Sequence, residues 1–303
     1  MNVARRLRPI TKEDIQKSYA DLKHVSCETS TIPTGRQGLK ALDAYFLPLR
    51  LAAKTKRHVS FLNALKNKKI HKNLRNTTRR IKRYNQLTTQ KTRDEFLRNQ
   101  YSTFQLYYGT INQFKPSVAR WFFCQFKPTR ILDFSAGWGG RAMAAMSLGI
   151  PYIGFDANKK LRPAYKKLHA LEPGADLTMT FQPSETVDFS QFTYDLVFTS
   201  PPYFMLEKYE GMPAYAKKQG FLDDFFVPVV KSVWNNLSKG GHMALNMPED
   251  MYTAIKDHLP PLEKTFKMPL SDRHAEAGRG TMETQKERFE YVYVWKRGVA
   301  FKS

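Results

Sequence analysis

From about Asn112 onward, short apolar runs alternate with helical stretches, and this alternation limits the fold more than any other feature of the chain. The run from Arg130 to Phe134 ends in a turn and is followed by an Ala- and Met-rich helix over Arg141 to Leu148. Further strands are expected at Tyr152 to Asp156, Leu177 to Phe181, Tyr194 to Phe198, His242 to Asn246 and Phe289 to Trp295. Helices are expected over Leu161 to Leu171, with Pro163 tolerable only in the first turn, and over Phe221 to Leu237, which Pro228 must kink or divide. Such alternation predicts an α/β fold, a parallel sheet with helices on both faces, and ligands at the carboxyl ends of its strands.

Residues 1–110 read differently, as mostly helical and basic. Apolar residues recur at three-to-four spacing over Asp14 to Leu22, Leu39 to Leu51 and Val59 to Leu65. Between Lys66 and Arg83 the only aliphatic residues are Ile70, Leu74 and Ile81, a stripe too thin for a core helix. The cations there are Lys66, Lys68, Lys69, Lys72, Arg75, Arg79, Arg80, Lys82 and Arg83. They suit a helix lying on a partner's phosphates, or a segment ordered only on binding. Two regions are therefore expected: a basic helical nucleic-acid-binding region over residues 1–106 and an α/β domain over residues 107–303.

Charge separates the same two regions. Of a net +22, residues 1–115 carry 25 basic and 7 acidic side chains. From Ala44 to Arg93 there are fifteen Lys and Arg and no acidic residue. A solvated helical face normally mixes both signs, so a polyanion is the natural complement, and nucleic acid is favoured over an acidic membrane or protein surface. No apolar run approaches the about 18 residues needed to span a bilayer, and the first residues lack an apolar signal core. The two cysteines, Cys27 and Cys124, lie far apart with no metal-ligand pattern around them. No disulfide and no metal site are expected, and an intracellular setting, cytoplasmic or nuclear, follows from unpaired thiols. The run from Lys66 to Arg83 also has the composition of a nuclear import signal.

Two short segments carry the chemistry. Asp133-Phe-Ser-Ala-Gly-Trp-Gly-Gly140 follows a buried strand, with Gly137 and Gly139 leaving room for close backbone approach and Gly140 opening the next helix. It is no phosphate loop, because the Lys-Ser/Thr ending is missing, and it lacks the third glycine of a dinucleotide fingerprint. The next strand ends in Asp156, whose carboxylate can accept both hydroxyls of a ribose, which points to an adenosine ligand. The second segment is Thr199-Ser-Pro-Pro-Tyr203. An exocyclic base amine is a poor nucleophile, since its lone pair is delocalised into the ring. Ser200 Oγ and the Pro201 carbonyl can accept hydrogen bonds from both N–H groups, and the two prolines hold that carbonyl in place. Tyr203 offers a ring on which a flipped base can stack.

These residues resemble a known family. The stretch from Phe198 to Phe204 looks like motif IV of the S-adenosylmethionine-dependent amino-methyltransferases that make N4-methylcytosine or N6-methyladenine in DNA. Asp133 to Arg141 resembles their motif I in its phage and viral form. Tyr108 to Ser117 resembles motif X, which closes over the methionine end of the cofactor. The resemblance covers residues 107–297 and implies a Rossmann-like class I methyltransferase sheet. It implies cofactor-binding roles for Asp133, Phe134, Ala136, Gly137, Gly139, Asp156, Lys115 and Pro116, and catalytic roles for Ser200, Pro201, Pro202 and Tyr203. Serine at the head of the loop favours cytosine N4 modestly over adenine N6.

The family's long target-recognition domain has no counterpart after Tyr203. Base selection then falls to residues 207–219 and 271–286, where Arg273, His274 and Arg279 can reach phosphate, to the basic region, or to a recognition subunit or homo-oligomer. Cytosine-C5 chemistry is excluded, because it needs a cysteine beside a proline and Cys124 sits in Phe-Phe-Cys-Gln. Similar loops serve small planar amines and protein glutamine, and the charge of residues 1–115 argues against a small molecule. DNA is favoured over RNA as substrate. A catalytically inactive nucleic-acid-binding or packaging protein with the same fold is the remaining alternative.

Overall fold

The computed structural model describes residues 3–55, 57–82, 90–203, 215, 217–269 and 289–298. Seven helices come first: α1 (Val3–Leu7), α2 (Lys12–Lys23), α3 (Leu39–Ala52), α4 (Phe61–Lys66), α5 (Lys68–Lys82), α6 (Gln90–Tyr108) and α7 (Pro116–Phe126). The sheet region then runs β1 (Ile131–Asp133), α8 (Gly140–Leu148), β2 (Tyr152–Phe155), α9 (Arg162–His169), β3 (Leu177–Thr180) and β4 (Leu196–Thr199). It closes with α10 (Lys218–Phe221), α11 (Val227–Asn236), β5 (His242–Met247), α12 (Glu249–Ile255), β6 (Lys264–Pro269) and β7 (Phe289–Lys296).

The strands form one sheet in the order β3-β2-β1-β4-β5-β7-β6. β1 to β5 are parallel, and β7 runs antiparallel between β5 and β6. This is the expected Rossmann-like sheet, with its strand order reversing between β1 and β4. The central strands β1, β2 and β4 are buried throughout, so they read as unbroken apolar runs. β6 is an edge strand that sequence reading passes over: Lys264 and Lys267 interrupt it and Pro269 ends it, both usual guards of an exposed edge.

Each face of the sheet has its own core. On one, Ile131, Phe198 and Val294 pack under Phe122, Met143 and Leu168 of α7, α8 and α9. On the other, Leu132, Val197 and Trp295 meet Phe226 and Val230 of the segment around α11. Pro228 does divide the expected long helix. It sits in the first turn of α11, preceded by a π-helical turn over Leu222–Phe226.

The N-terminal helices join this architecture. Leu22 of α2 and Leu42 and Phe46 of α3 lie in the first sheet-face core. Leu47 and Leu51, on the same helix α3, pack instead with Phe61, Leu74, Leu97 and Phe104 in a third cluster. The expected boundary at residue 106 falls inside α6. Helix α5 is docked, not solitary: Leu74 is buried, and the Thr78 hydroxyl, also buried, donates to the Leu74 carbonyl at 2.7 Å beside Thr103 Oγ1 at 3.1 Å. A satisfied threonine completes the stripe that its aliphatic residues leave thin.

The expectation of two unpaired thiols is overturned. The chain after α2 wraps along α7, where Arg120 donates to the carbonyls of Lys23 and Val25 and Trp121 Nε1 to that of Thr29. That wrapping brings Cys27 and Cys124 into a disulfide with Cα atoms 5.3 Å apart. Among the described residues, no helix is long and apolar enough to cross a membrane.

Candidate active site

The glycine turn is built around a buried carboxylate. Asp133, at the end of β1, accepts from Arg141 Nε at 2.6 Å, the Tyr152 hydroxyl at 2.5 Å, the Thr199 hydroxyl at 2.7 Å and the Ser135 N–H at 3.1 Å. It is fully buried and does not line the cavity above it. The cofactor contact expected of Asp133 is therefore corrected to a brace, since its oxygens are taken up by protein donors.

The two glycines divide the work. Gly137 (φ +59°) faces the cavity: its N–H donates to Asp156 Oδ2 at 2.8 Å, and its carbonyl accepts from the Tyr165 hydroxyl at 3.0 Å. Gly139 (φ +78°) faces the other way, and a Cβ there would stand 2.8 Å from the Phe46 ring. Gly139 is thus a packing position against α3, another correction to the expected cofactor contacts. Phe134, Ala136, Gly137 and Asp156 do line the cavity.

That cavity, of about 390 Å³, lies at the carboxyl ends of β1, β2, β4 and β5, where the sheet order reverses. Ser200, Pro201, Pro202 and Tyr203 line it together with the glycine turn. Both sequence motifs therefore open on one space.

The Asp156 carboxyl belongs to the cavity lining. Burial pushes its pKa up to about 6, opposed by hydrogen bonds from the N–H groups of Asn158 and Gly137. Ser200 Oγ lies 3.4 Å from the Tyr203 hydroxyl, which in turn donates to the backbone carbonyl and Oδ1 of Asn246, both at 3.3 Å. The tyrosine ring is thereby held at the cavity wall by its far end.

Lys115 and Pro116 are not among the lining residues. Lys115 Nζ donates to the Thr34 carbonyl at 3.3 Å, and Pro116 is buried in the first turn of α7. The preceding residues Asn112, Gln113 and Phe114 form that wall. Gln113 Nε2 donates to Asp43 Oδ1 at 3.3 Å, and Asp43 pairs with both Arg8 and Arg50, which ties the wall to α1 and α3.

Sequence reasoning missed several lining residues. Pro183, Ser184 and Glu185 follow β3, and Ser184 Oγ donates to the Phe134 carbonyl at 2.5 Å. Asn246 and Glu290 line the same cavity from β5 and β7. A polar residue interrupting each otherwise apolar strand was the available signal. Glu290 has its pKa raised by burial, with a hydrogen bond from Asn246 acting in the opposite sense.

On α4 and α5, Lys66, Lys68, Lys69, Lys72, Arg75, Arg79 and Arg80 are all exposed. The side chain of Lys82 and all of Arg83 lie outside the described residues, as do residues 207–214 and 271–286 with Arg273, His274 and Arg279.

The sequence matches no protein-family model and no curated protein. Similar solved structures include TrmN from Thermus thermophilus, at 14% identity over 75% of this chain and 78% of that one, with a TM-score of 0.44. Another is the magnesium protoporphyrin IX methyltransferase ChlM from Synechocystis PCC 6803 with bound SAM, at 13% identity over 72% and 88%, TM-score 0.42. TehB from Haemophilus influenzae follows at 11% over 65% and 66%, TM-score 0.40. At such identities and scores they bear on no substrate and no residue's role.

Proposed function

We propose that this chain transfers a methyl group from S-adenosylmethionine to the exocyclic amine of a base in DNA, with cytosine N4 favoured over adenine N6. The observation that carries the reading is the shared cavity, in which the glycine turn and the Asp156 carboxylate stand beside Ser200-Pro201-Pro202-Tyr203.

The residues present fit the cofactor. Gly137 keeps the wall free of side chain, since a Cβ there would meet only the Ser135 carbonyl oxygen, at 3.7 Å. Asp156 retains lone pairs for ribose hydroxyls after its two backbone bonds. Gln113 Oε1 is buried with no hydrogen-bond partner in the protein, which suits it to accept from an ammonium group. When bound, S-adenosylmethionine supplies an electrophilic methyl group on a positively charged sulfur.

The protein's own part is positioning. Ser200 Oγ and the Pro201 carbonyl accept from the two N–H groups of the target amine and draw its nitrogen toward tetrahedral geometry. Pro201 and Pro202 fix that carbonyl before substrate arrives, so little reorganisation accompanies the reaction. Tyr203 and Phe225 wall the space in which the base lies and help exclude water. The exposed cations of α4 and α5 hold the phosphate backbone through counterion release and leave sequence unread.

The test is transfer of labelled methyl to matched DNA and RNA, followed by nucleoside analysis. Label in N4-methylcytosine from DNA is expected, and Ser200→Ala combined with Pro201→Ala should abolish it while leaving DNA binding intact. Label in neither polymer would defeat the proposal; label in RNA alone would transfer it to that polymer.

A further inference from the structure

Resting on the base-amine reading, we propose that Glu290 takes up the proton that the target amine sheds as it is methylated. Placement carries the argument. β5 and β7 pair antiparallel with Asn246 opposite Val292, so Asn246 and the even-numbered residues of β7 share one face of the sheet. Glu290 lies on that face, beyond Val292 at the cavity end of the strand. Asn246 Oδ1 accepts from the Tyr203 hydroxyl at 3.3 Å, and Asn246 Nδ2 donates to the carbonyl of Tyr291, the residue next to Glu290, at 3.1 Å. Ser200, Tyr203 and Asn246 are thus joined by hydrogen bonds, and all three line the same cavity as Glu290.

The chemistry leaves a role unfilled. Ser200 and Pro201 accept hydrogen bonds, but neither relieves the nitrogen of a proton at neutral pH. As the amine lone pair forms the N–C bond, the C–S bond breaks with its electron pair going to sulfur, and the nitrogen becomes cationic. The N–H bond then breaks with its pair returning to nitrogen, and the proton passes to a Glu290 oxygen and later to water.

Burial raises the affinity of Glu290 for a proton, which suits a carboxylate that must accept one near neutral pH. The other ionisable side chains lining the cavity are Arg141, Asp156, Glu185 and Tyr203. On the neighbouring strand, Lys267 pairs with Tyr291, on the opposite face, and its ammonium lies over the Phe289 ring at 5.8 Å. Lys264 of β6 shares Glu290's face, but it stands opposite Val294 and its ammonium lies over the Phe266 ring at 4.5 Å, so among the described residues of β6 no cation is paired with Glu290.

Full-length Glu290→Gln and Glu290→Asp variants test this with labelled S-adenosylmethionine and DNA under single-turnover conditions. Glu290→Gln should slow methyl transfer by at least about 100-fold and remove the acid limb of the rate–pH profile. Cofactor affinity and thermal midpoint should stay unchanged, and Glu290→Asp should restore the limb. A readout independent of turnover is the carboxyl ¹³C spectrum of glutamate-labelled protein. One resonance should titrate above the ordinary glutamate range and vanish in Glu290→Gln. An unchanged rate and profile in Glu290→Gln, with wild type active, would overturn this inference alone. Loss of rate in step with loss of cofactor binding or stability would also overturn it, as a purely structural role. A wild type that labels neither DNA nor RNA would overturn the base-amine reading and this inference with it.

Discussion

The hydroxyl of Thr199, at the end of β4, donates to the carboxylate of Asp133, at the end of β1, across 2.7 Å. The two segments that carry the site are thus joined beneath the cavity by a side-chain bond added to the backbone ladder between β1 and β4. Thr199→Val keeps the shape and removes the donor, and should destabilise the protein by about 1–3 kcal/mol in urea unfolding. Asp133→Asn leaves Arg141 buried without its counter-charge. It should cost more, about 3–5 kcal/mol. Equal costs for the two would show that the carboxylate is not the organising charge.

Gly137 and Gly139 should separate on substitution. Gly139→Ala meets the Phe46 ring and strains a left-handed backbone, which together predict a loss of roughly 2–4 kcal/mol in stability. Gly137→Ala makes only an ordinary contact with the Ser135 carbonyl oxygen, at 3.7 Å, and bears the backbone cost alone, about 1–2 kcal/mol. Its larger effect should be on affinity for S-adenosylhomocysteine, measured by calorimetry, because its side chain would enter the cavity.

Asp156 should give stability and cofactor affinity opposite pH trends. Burial raises its pKa to about 6, so the folded protein holds a proton that the unfolded chain releases. Its contribution to stability is fully present below about pH 4 and is lost as pH rises through about 6. The ionised carboxylate is the better acceptor for ribose hydroxyls, so cofactor affinity should rise over the same window. Asp156→Asn should flatten both curves, and a wild-type affinity flat between pH 5 and 7 would remove Asp156 from the cofactor site.

The basic helix can be tested by point substitution. Lys72→Ala, Arg75→Ala and Arg79→Ala change exposed positions only. If each neutralises one phosphate, the slope of log affinity against log salt should fall by roughly two to three. An unchanged slope would place the nucleic-acid track elsewhere. Removing residues 1–100 is no substitute for this experiment, because it would also remove Leu22, Leu42 and Phe46 from the core.

Much of the fold was legible because the central strands, buried on both faces, carry unbroken apolar runs. β6 escaped because Lys264 and Lys267 interrupt it and Pro269 ends it. The glycine turn and the Ser-Pro-Pro-Tyr loop are legible as well. Asp133 and Gly139 pass for ligand contacts because nothing local reveals the partners that occupy them, Arg141, Tyr152 and Thr199 for one and Phe46 for the other. The disulfide was hidden for a similar reason. Cys27 and Cys124 are 97 residues apart, and only the wrapping of the chain along α7 brings them together.

Helix α3 places Leu42 and Phe46 in one core and Leu47 and Leu51 in another. The basic helical layer and the sheet therefore have no seam along which recombination or grafting could separate them. Moving the exposed cations of α4 and α5 onto a different protein would require transplanting α3 together with the pocket of the sheet domain that receives it. The helical layer and the sheet should accordingly be inherited, and should melt, as one piece.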